Sequence, residues 1–173
     1  FSTLLKEYDI YAPVLKKGEG TFSDIDVVRY DKIKAIDEIE WNKKSDYSFK
    51  EVLLSINETI FYFTEDKTIV PEGPQKDIII FLRSCDLHAL KRLDQIYLDN
   101  KFSDFYYERV REKAKFVLMG CATTCESGFC VSMGTNKSDN YDMYISVDDK
   151  NVSVDVPDEK LNSYFAEVKT SDI

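Results

Sequence analysis

The chain contains four cysteines, whose thiols can bind a metal ion or react. Three of them, Cys121, Cys125 and Cys130, lie within ten residues in the segment GCATTCESGFC. The fourth, Cys85, lies 36 residues before Cys121 in the segment LRSCDLHAL. Four thiolates are the ligand number that holds one tetrahedral zinc ion or one cubane iron–sulfur cluster. The number and grouping of the thiols therefore predict a metal centre.

The spacing within the trio is C-x3-C-x4-C, which differs from the bacterial ferredoxin run and from the C-x2-C pairs typical of zinc sites. Wide gaps suit a cubane, whose corners need ligands from a wrapping loop. Small residues such as Gly128 let that loop approach closely and donate backbone N–H groups to sulfides. A [4Fe-4S] cluster is thus the first hypothesis. Zinc, disulfide pairing and inert buried thiols stay open as alternatives.

Two further side chains flank Cys85. His88 follows it by one helical turn, so it can face the same site as a neighbour of the ligands, or it can be an ordinary polar surface residue. Arg83 can place a positive charge beside an anionic cluster, or it can be an exposed arginine at a strand end. A hydrolase that used Cys85 and His88 as nucleophile and base would leave the cysteine trio unexplained.

Two apolar runs position these cysteines. Residues 78–82 and 116–119 are continuously apolar, as is typical of strands buried on both faces of an α/β sheet. Cys85 and Cys121 each follow one of these strands by a few residues. If the strands are parallel neighbours joined by a right-handed crossover, both cysteines lie at the same edge of the sheet, where functional sites of open sheets gather.

The predicted fold class is α/β, a single domain over residues 1–173 with a central, largely parallel or mixed sheet flanked by helices, plus a carboxyl-terminal β-hairpin. The cysteine-rich loop spans residues 120–135. Asp86 is predicted to cap the helix after the first buried strand, and the aromatic runs at 61–63 and at Phe81 are predicted to lie in the core. Further predicted elements are strands at 26–30, 59–63 and 68–70, helices at 48–54, 86–97, 104–113 and 160–168, and a hairpin of 143–147 with 152–156.

Composition narrows the function classes. The chain has 173 residues, 43% of them hydrophobic and 32% charged, which is typical of a folded domain and not of a disordered segment. Its net charge of −9 disfavours nucleic acid and anionic membranes as partners. Its apolar runs are far shorter than the roughly 20 residues that span a bilayer. We expect a cytoplasmic location, because a reducing compartment keeps thiols available for metal.

The strings RSCDLHALKRLD and YYERVREKAKFVLMGCATTCESGFCVSMGTN resemble the A subunits of anaerobic sulfite reductase and, more distantly, the β subunits of soluble sulfhydrogenases. The resemblance is specific from residue 77 to 136 and weak elsewhere. Cys85 matches the family's arginine–x–cysteine–aspartate motif, and the trio matches its later cysteine-rich segment. Arg83, Asp86 and Gly128 match the non-cysteine positions of these motifs.

The resemblance implies a non-catalytic electron-transfer component of an oxidoreductase complex. Such a subunit relays electrons through iron–sulfur centres from a flavin- and NADH-handling partner subunit to a sirohaem-containing subunit that reduces sulfite. Family members continue into a ferredoxin-like domain, so the chain is expected to be an amino-terminal region without that domain. The alternative is a structural zinc-binding or metal-free domain that docks the ferredoxin domain to partner subunits.

Overall fold

The computed structural model describes residues 1–148 and 151–165. The middle of the predicted hairpin turn, residues 149–150, and the end of the last predicted helix, residues 166–168, therefore lie outside the described residues. In chain order the helices and strands are α1 (Leu4–Glu7), β1 (Tyr8–Lys16), β2 (Val27–Lys32), α2 (Lys50–Leu53), β3 (Tyr62–Phe63), β4 (Thr68–Ile69), β5 (Asp77–Arg83), α3 (Ser84–Tyr97), α4 (Phe105–Arg111), β6 (Ala114–Met119), β7 (Met143–Val147), β8 (Val152–Asp155) and α5 (Glu159–Asn162). A short 3-10 helix lies between β2 and α2 at Ile36–Glu38, and a second one follows α5 at Ser163–Phe165.

The described strands form a six-stranded mixed sheet in the order β2-β1-β5-β6-β7-β8. The inner pairs β1–β5, β5–β6 and β6–β7 are parallel, whereas β2 and β8 pair antiparallel at the two edges. The predicted α/β class and mixed sheet are confirmed. The predicted hairpin is β7–β8, and it extends the main sheet. The short strands β3 and β4 form a separate antiparallel pair.

Side chains of β5 alternate between two cores on opposite faces of the sheet, as the period of two along a strand requires. Ile78, Ile80 and Leu82 pack with α3 and α4, while Ile79 and Phe81 pack with β1, β7 and α5. Burial on both faces explains why this strand is apolar without alternation. Each fully buried side chain of this size contributes about 1.5–3 kcal/mol relative to an exposed one.

Helix α3 begins immediately after β5, so the strand and helix share the turn that carries the cysteine motif. Its apolar positions face the sheet at helical spacing, with Leu87, Leu90 and Leu93 buried. The helix starts at Ser84 with Arg83 at the capping position, and Asp86 lies in its first turn. The prediction that Asp86 caps this helix is therefore wrong. A carboxylate in the first turn still interacts favourably with the helix dipole.

One other prediction also fails, and one strand was not predicted. Residues 61–63 are 48%, 61% and 75% exposed, so they lie outside the core, whereas Phe81 is buried as expected. The longest strand, β1, was not predicted, although Tyr8, Ile10 and Ala12 alternate with partly exposed residues. The hairpin that holds residues 62–63 has only two residues in each strand, and so short a pair presents its aromatics to solvent. In the described part of the chain, no helix has the length and apolarity needed to cross a membrane.

Candidate metal centre

Parallel pairing of β5 with β6 places Cys85 and Cys121 at the same edge of the sheet, where the carboxyl ends of these two strands lie. The final pair in the register joins Arg83 to Met119. Each cysteine follows its paired residue by two positions, Cys85 at the start of α3 and Cys121 after Gly120. The predicted parallel neighbourhood of the two buried strands is thus confirmed.

Arg83 connects this edge to two other parts of the chain. Its guanidinium donates from Nη1 to the Sγ of Cys121 at 3.3 Å, and from Nη2 to the carbonyls of Trp41 at 2.9 Å and Lys43 at 3.1 Å. The side chain is only 6% exposed, so it is not the exposed strand-end arginine of the alternative hypothesis. A buried guanidinium that donates to sulfur offsets negative charge at this edge.

The segment that receives Arg83 is held in place by the sheet. The N–H of Glu40 donates to the carbonyl of Pro13 in β1 at 2.8 Å, and the Trp41 ring packs edge-on against Phe81 of β5 at 6.2 Å between centroids. The Glu40 carboxylate accepts from the backbone N–H groups of Asn42 and Lys43 at 2.9 and 3.0 Å. Residues 41–44 therefore form a fixed wall above the end of β5, which we call the 41–44 segment.

The cysteine loop, residues 120–135, leaves the sheet at Gly120 and is mainly exposed. The N–H of Gly120 donates to the carbonyl of Ile145 in β7 at 2.8 Å. Farther along the loop the backbone hydrogen bonds are local: the N–H of Gly128 donates to the carbonyl of Cys125 at 2.9 Å, and the N–H of Thr135 donates to the carbonyl of Cys130 at 2.8 Å. A Cβ on Gly128 would lie 3.1 Å from the Cβ of Cys125, so a larger residue would crowd the turn that carries this thiol. The turn from Cys125 to Gly128 is therefore tight.

All four cysteines are free thiols, and Cys85, Cys121 and Cys125 are exposed. Desolvation by the surrounding protein, followed by the charges of Asp86 and Cys121, raises the pKa of the Cys85 thiol to about 11, although Lys44 acts in the opposite direction. Cys121 contributes to this shift because its sulfur is close enough to interact electrostatically with Cys85. Two thiolates at one edge repel each other unless a cation neutralises them.

The structure brings two of the predicted ligands together but does not gather the full set. Among the described residues, no group of three or more His, Cys, Asp or Glu side chains is arranged to hold a metal ion. Cys85 and Cys121 share the sheet edge, whereas Cys125 and Cys130 lie farther along the exposed loop. The donor set is chemically suited to iron or zinc, because metal sites built on flexible loops commonly assemble only when the ion binds.

His88 lies on α3 and contacts the far end of the loop region. Its Nε2 is hydrogen-bonded to the carbonyl of Lys137 at 2.8 Å. This bond joins α3 to the chain that follows the cysteine loop, so His88 positions the loop's exit.

Sequence reasoning missed the 41–44 segment entirely. Arg83 reaches its backbone carbonyls, which every residue type supplies, so no motif marks them. The only available signal was the pair Lys43–Lys44 in an acidic chain, and its position beside Cys85 depends on tertiary structure.

The chain is similar to the sulfhydrogenase 2 subunit beta of Pyrococcus furiosus, with 29% identity over 148 residues. The aligned region covers 84% of this chain and 41% of the relative, so the chain spans about two fifths of the relative's length. Neither a protein-family model nor a solved structure matches the chain. The similarity supports the more distant of the two resemblances drawn from the sequence, the one to sulfhydrogenase β subunits.

Proposed function

We propose that this chain is the cluster-bearing part of an electron-transfer subunit in an oxidoreductase complex. In this proposal Cys85, Cys121, Cys125 and Cys130 hold one [4Fe-4S] cluster, which supplies one-electron redox chemistry when bound. The observation that carries the proposal is the convergence of Cys85 and Cys121 at one sheet edge, with the buried Arg83 donating to the Cys121 sulfur. The similarity to a sulfhydrogenase subunit supports the oxidoreductase setting.

Each feature of the site has a role in this proposal. The Arg83 guanidinium offsets negative charge at the cluster and so raises its reduction potential. Gly128 keeps the turn beside Cys125 compact, and His88 holds the chain at Lys137 after the loop. The exposed loop would fold over the centre as metal binds, because the binding free energy can order ligands that are mobile without it. An exposed loop also suits electron transfer, which requires a centre near the protein surface.

The finer assignment follows the sequence resemblance to anaerobic sulfite reductase A subunits. We propose that electrons arrive from a flavin- and NADH-handling partner subunit and leave towards a sirohaem subunit that reduces sulfite. The domain organisation is part of the same proposal: one α/β domain over residues 1–173 that precedes a ferredoxin-like domain, in the cytoplasm. No substrate chemistry is assigned to the chain itself.

A second candidate is a zinc-binding or metal-free docking domain. Three apolar side chains of the cysteine loop favour it, since Phe129, Val131 and Met133 are each at least 65% exposed. Exposed apolar residues on one loop are typical of a surface that contacts another protein. Four thiolates also satisfy tetrahedral zinc.

Metal analysis of anaerobically prepared protein separates these candidates. The cluster proposal expects roughly four irons with matching sulfide per chain and a visible thiolate-to-iron absorption band. One zinc per chain without colour would support the zinc domain instead. Metal-free protein whose four thiols are all alkylated under native conditions would support the docking domain.

A further inference from the structure

A concave pocket of about 240 Å³ lies between the 41–44 segment and the cysteine loop. Both walls present polar groups to it, and the floor carries a guanidinium. The groups relevant to a ligand are Asn42, Lys43, Lys44, Arg83, Thr123 and Thr124. Cys125 and Glu126 complete the lining.

The charge of this pocket is opposite to that of the whole protein. Three cations and one carboxylate, that of Glu126, line it, in a chain whose net charge is −9. Both Nη atoms of Arg83 already donate to Cys121 and to backbone carbonyls, so this side chain contributes charge more than new hydrogen bonds. Among the described residues, Lys43 and Lys44 form no ion pair, which leaves two ammonium groups as donors.

The shape of the cationic wall is fixed before any ligand arrives. Arg83 binds the carbonyls of Trp41 and Lys43, and the Glu40 carboxylate accepts from the amides of Asn42 and Lys43. The negative charge of Glu40 is thus engaged by the backbone of the 41–44 segment. Because the backbone is already ordered, only the side chains lose conformational entropy when a ligand binds.

Size and polarity limit the ligand. Pockets for drug-sized ligands and cofactors occupy about 300–1,000 Å³ and are mostly apolar. This pocket is too small to enclose a flavin or a dinucleotide, and its lining residues carry ammonium, guanidinium, amide, hydroxyl and carboxylate groups on aliphatic stems. Ammonium, amide and hydroxyl donors around a small volume are the groups that bind oxygen atoms of an anion.

We propose that the pocket binds a small oxyanion of the sulfate or phosphate class, held by Lys43, Lys44 and the hydroxyls of Thr123 and Thr124. Arg83 supplies positive charge at its floor. Anion binding does not depend on a metal.

The test is a titration of the full chain, as purified, with inorganic sulfate and then with inorganic phosphate at constant ionic strength set by chloride. Backbone amide shifts of residues 42–44 and 123–124 are followed by NMR. We expect saturable shifts at these positions with a dissociation constant in the millimolar range. The double variant K43Q/K44Q should weaken binding at least tenfold, whereas the matched surface variant K50Q/K91Q should leave it unchanged.

Shifts that rise without saturation, or that are equal in wild type and K43Q/K44Q, would overturn the anion site. Thr123→Val, which removes one hydroxyl at nearly constant volume, gives a second test, with a several-fold weaker affinity expected. Iron is quantified in the same samples. Saturable anion binding in protein that does not hold iron would support the anion site and contradict the cluster. Iron-loaded protein without saturable anion binding would support the cluster and contradict the anion site.

Discussion

Arg83 and Cys121 are joined by a 3.3 Å hydrogen bond from guanidinium Nη1 to Sγ, across the ends of the two central parallel strands. The same guanidinium binds two carbonyls of the 41–44 segment. One buried cation therefore connects the first cysteine of the loop with a segment that is distant in sequence. Its hydrogen bonds stabilise the fold, and its positive charge offsets negative charge at the cysteines.

Replacing Arg83 with methionine should destabilise the fold. The change leaves two carbonyls without their donor and removes a charge-assisted bond, at a cost of about 2–4 kcal/mol. Urea unfolding of iron-free protein measures the change in free energy of unfolding. Arg92→Met is the matched control, because Arg92 is exposed on α3 and donates to the nearby Gln95 side chain. Equal stability of the two variants would show that the Arg83 contacts contribute little.

The close approach of Gly120 to β7 positions Cys121. A Cβ at Gly120 would lie 2.5 Å from the Oγ and 2.8 Å from the Cβ of Ser146. We expect Gly120→Ala to cost about 1–3 kcal/mol, as overpacking does in a closely packed region. Adding Ser146→Gly should relieve most of the clash, so the double variant should be more stable than the sum of the single effects predicts. Strict additivity in urea unfolding would refute this contact.

The Cys85 thiol should react slowly at neutral pH. Desolvation and the neighbouring charges of Asp86 and Cys121 raise its pKa to about 11 from the ordinary 9.0, so the reactive thiolate is scarce below that range. Alkylation of iron-free protein, followed residue by residue with peptide mass spectrometry, should accelerate for Cys85 as the pH approaches 11. In urea the same thiol should reach half its maximal rate near pH 9. Identical pH profiles in native and unfolded protein would contradict the shift.

The same shift has a stability consequence whose sign is opposite to that of a salt-bridged carboxylate. Because the folded protein holds the Cys85 proton more tightly than the unfolded chain, this group contributes stability that is complete below about pH 9. That contribution is lost as the pH rises from 9.0 to about 11. Cys85→Ser should reduce the decline in unfolding free energy across this window.

Buried leucines of α3 should dominate the stability of the helix that carries Cys85. Leu90 is fully buried, and Leu90→Ala should cost about 2–5 kcal/mol. Ile96 on the same helix is 59% exposed, and Ile96→Ala should change stability by less than about 1 kcal/mol. Chemical denaturation of both variants compares them. A similar loss of stability in both variants would contradict the assignment of Leu90 to the buried face of α3 and Ile96 to its exposed face.

The sequence was sufficient for the centre of the fold, because hydrophobic patterning is local. The apolar runs at 78–82 and 116–119 predicted two buried strands, and the structure pairs them in parallel. Strand β1 was missed because Tyr11 is apolar at a partly exposed position of the alternation and because Pro13 disfavours a strand. The same reasoning also failed for residues 61–63, since aromatic content alone does not distinguish a core strand from an exposed two-residue hairpin.

The candidate site was predictable only in part, because some of its contacts depend on tertiary structure. Cysteine spacing is visible in a sequence, and strand order placed Cys85 beside Cys121. The role of Arg83 could not be predicted, because its acceptors are backbone carbonyls about 40 residues away along the chain. The geometry of the loop around Cys125 and Cys130 depends on the metal it would hold, so neither the sequence nor the protein fold alone defines it.

The decisive measurement is the iron content of protein purified under anaerobic conditions. We expect roughly four irons per chain in the wild-type protein, with loss of iron in each of the variants C85S, C121S, C125S and C130S. The loop control Ser127→Ala should retain the wild-type amount. Full iron content in C85S would contradict convergence of the distant cysteine with the trio, and wild-type protein that holds a single zinc or no metal would contradict the cluster itself.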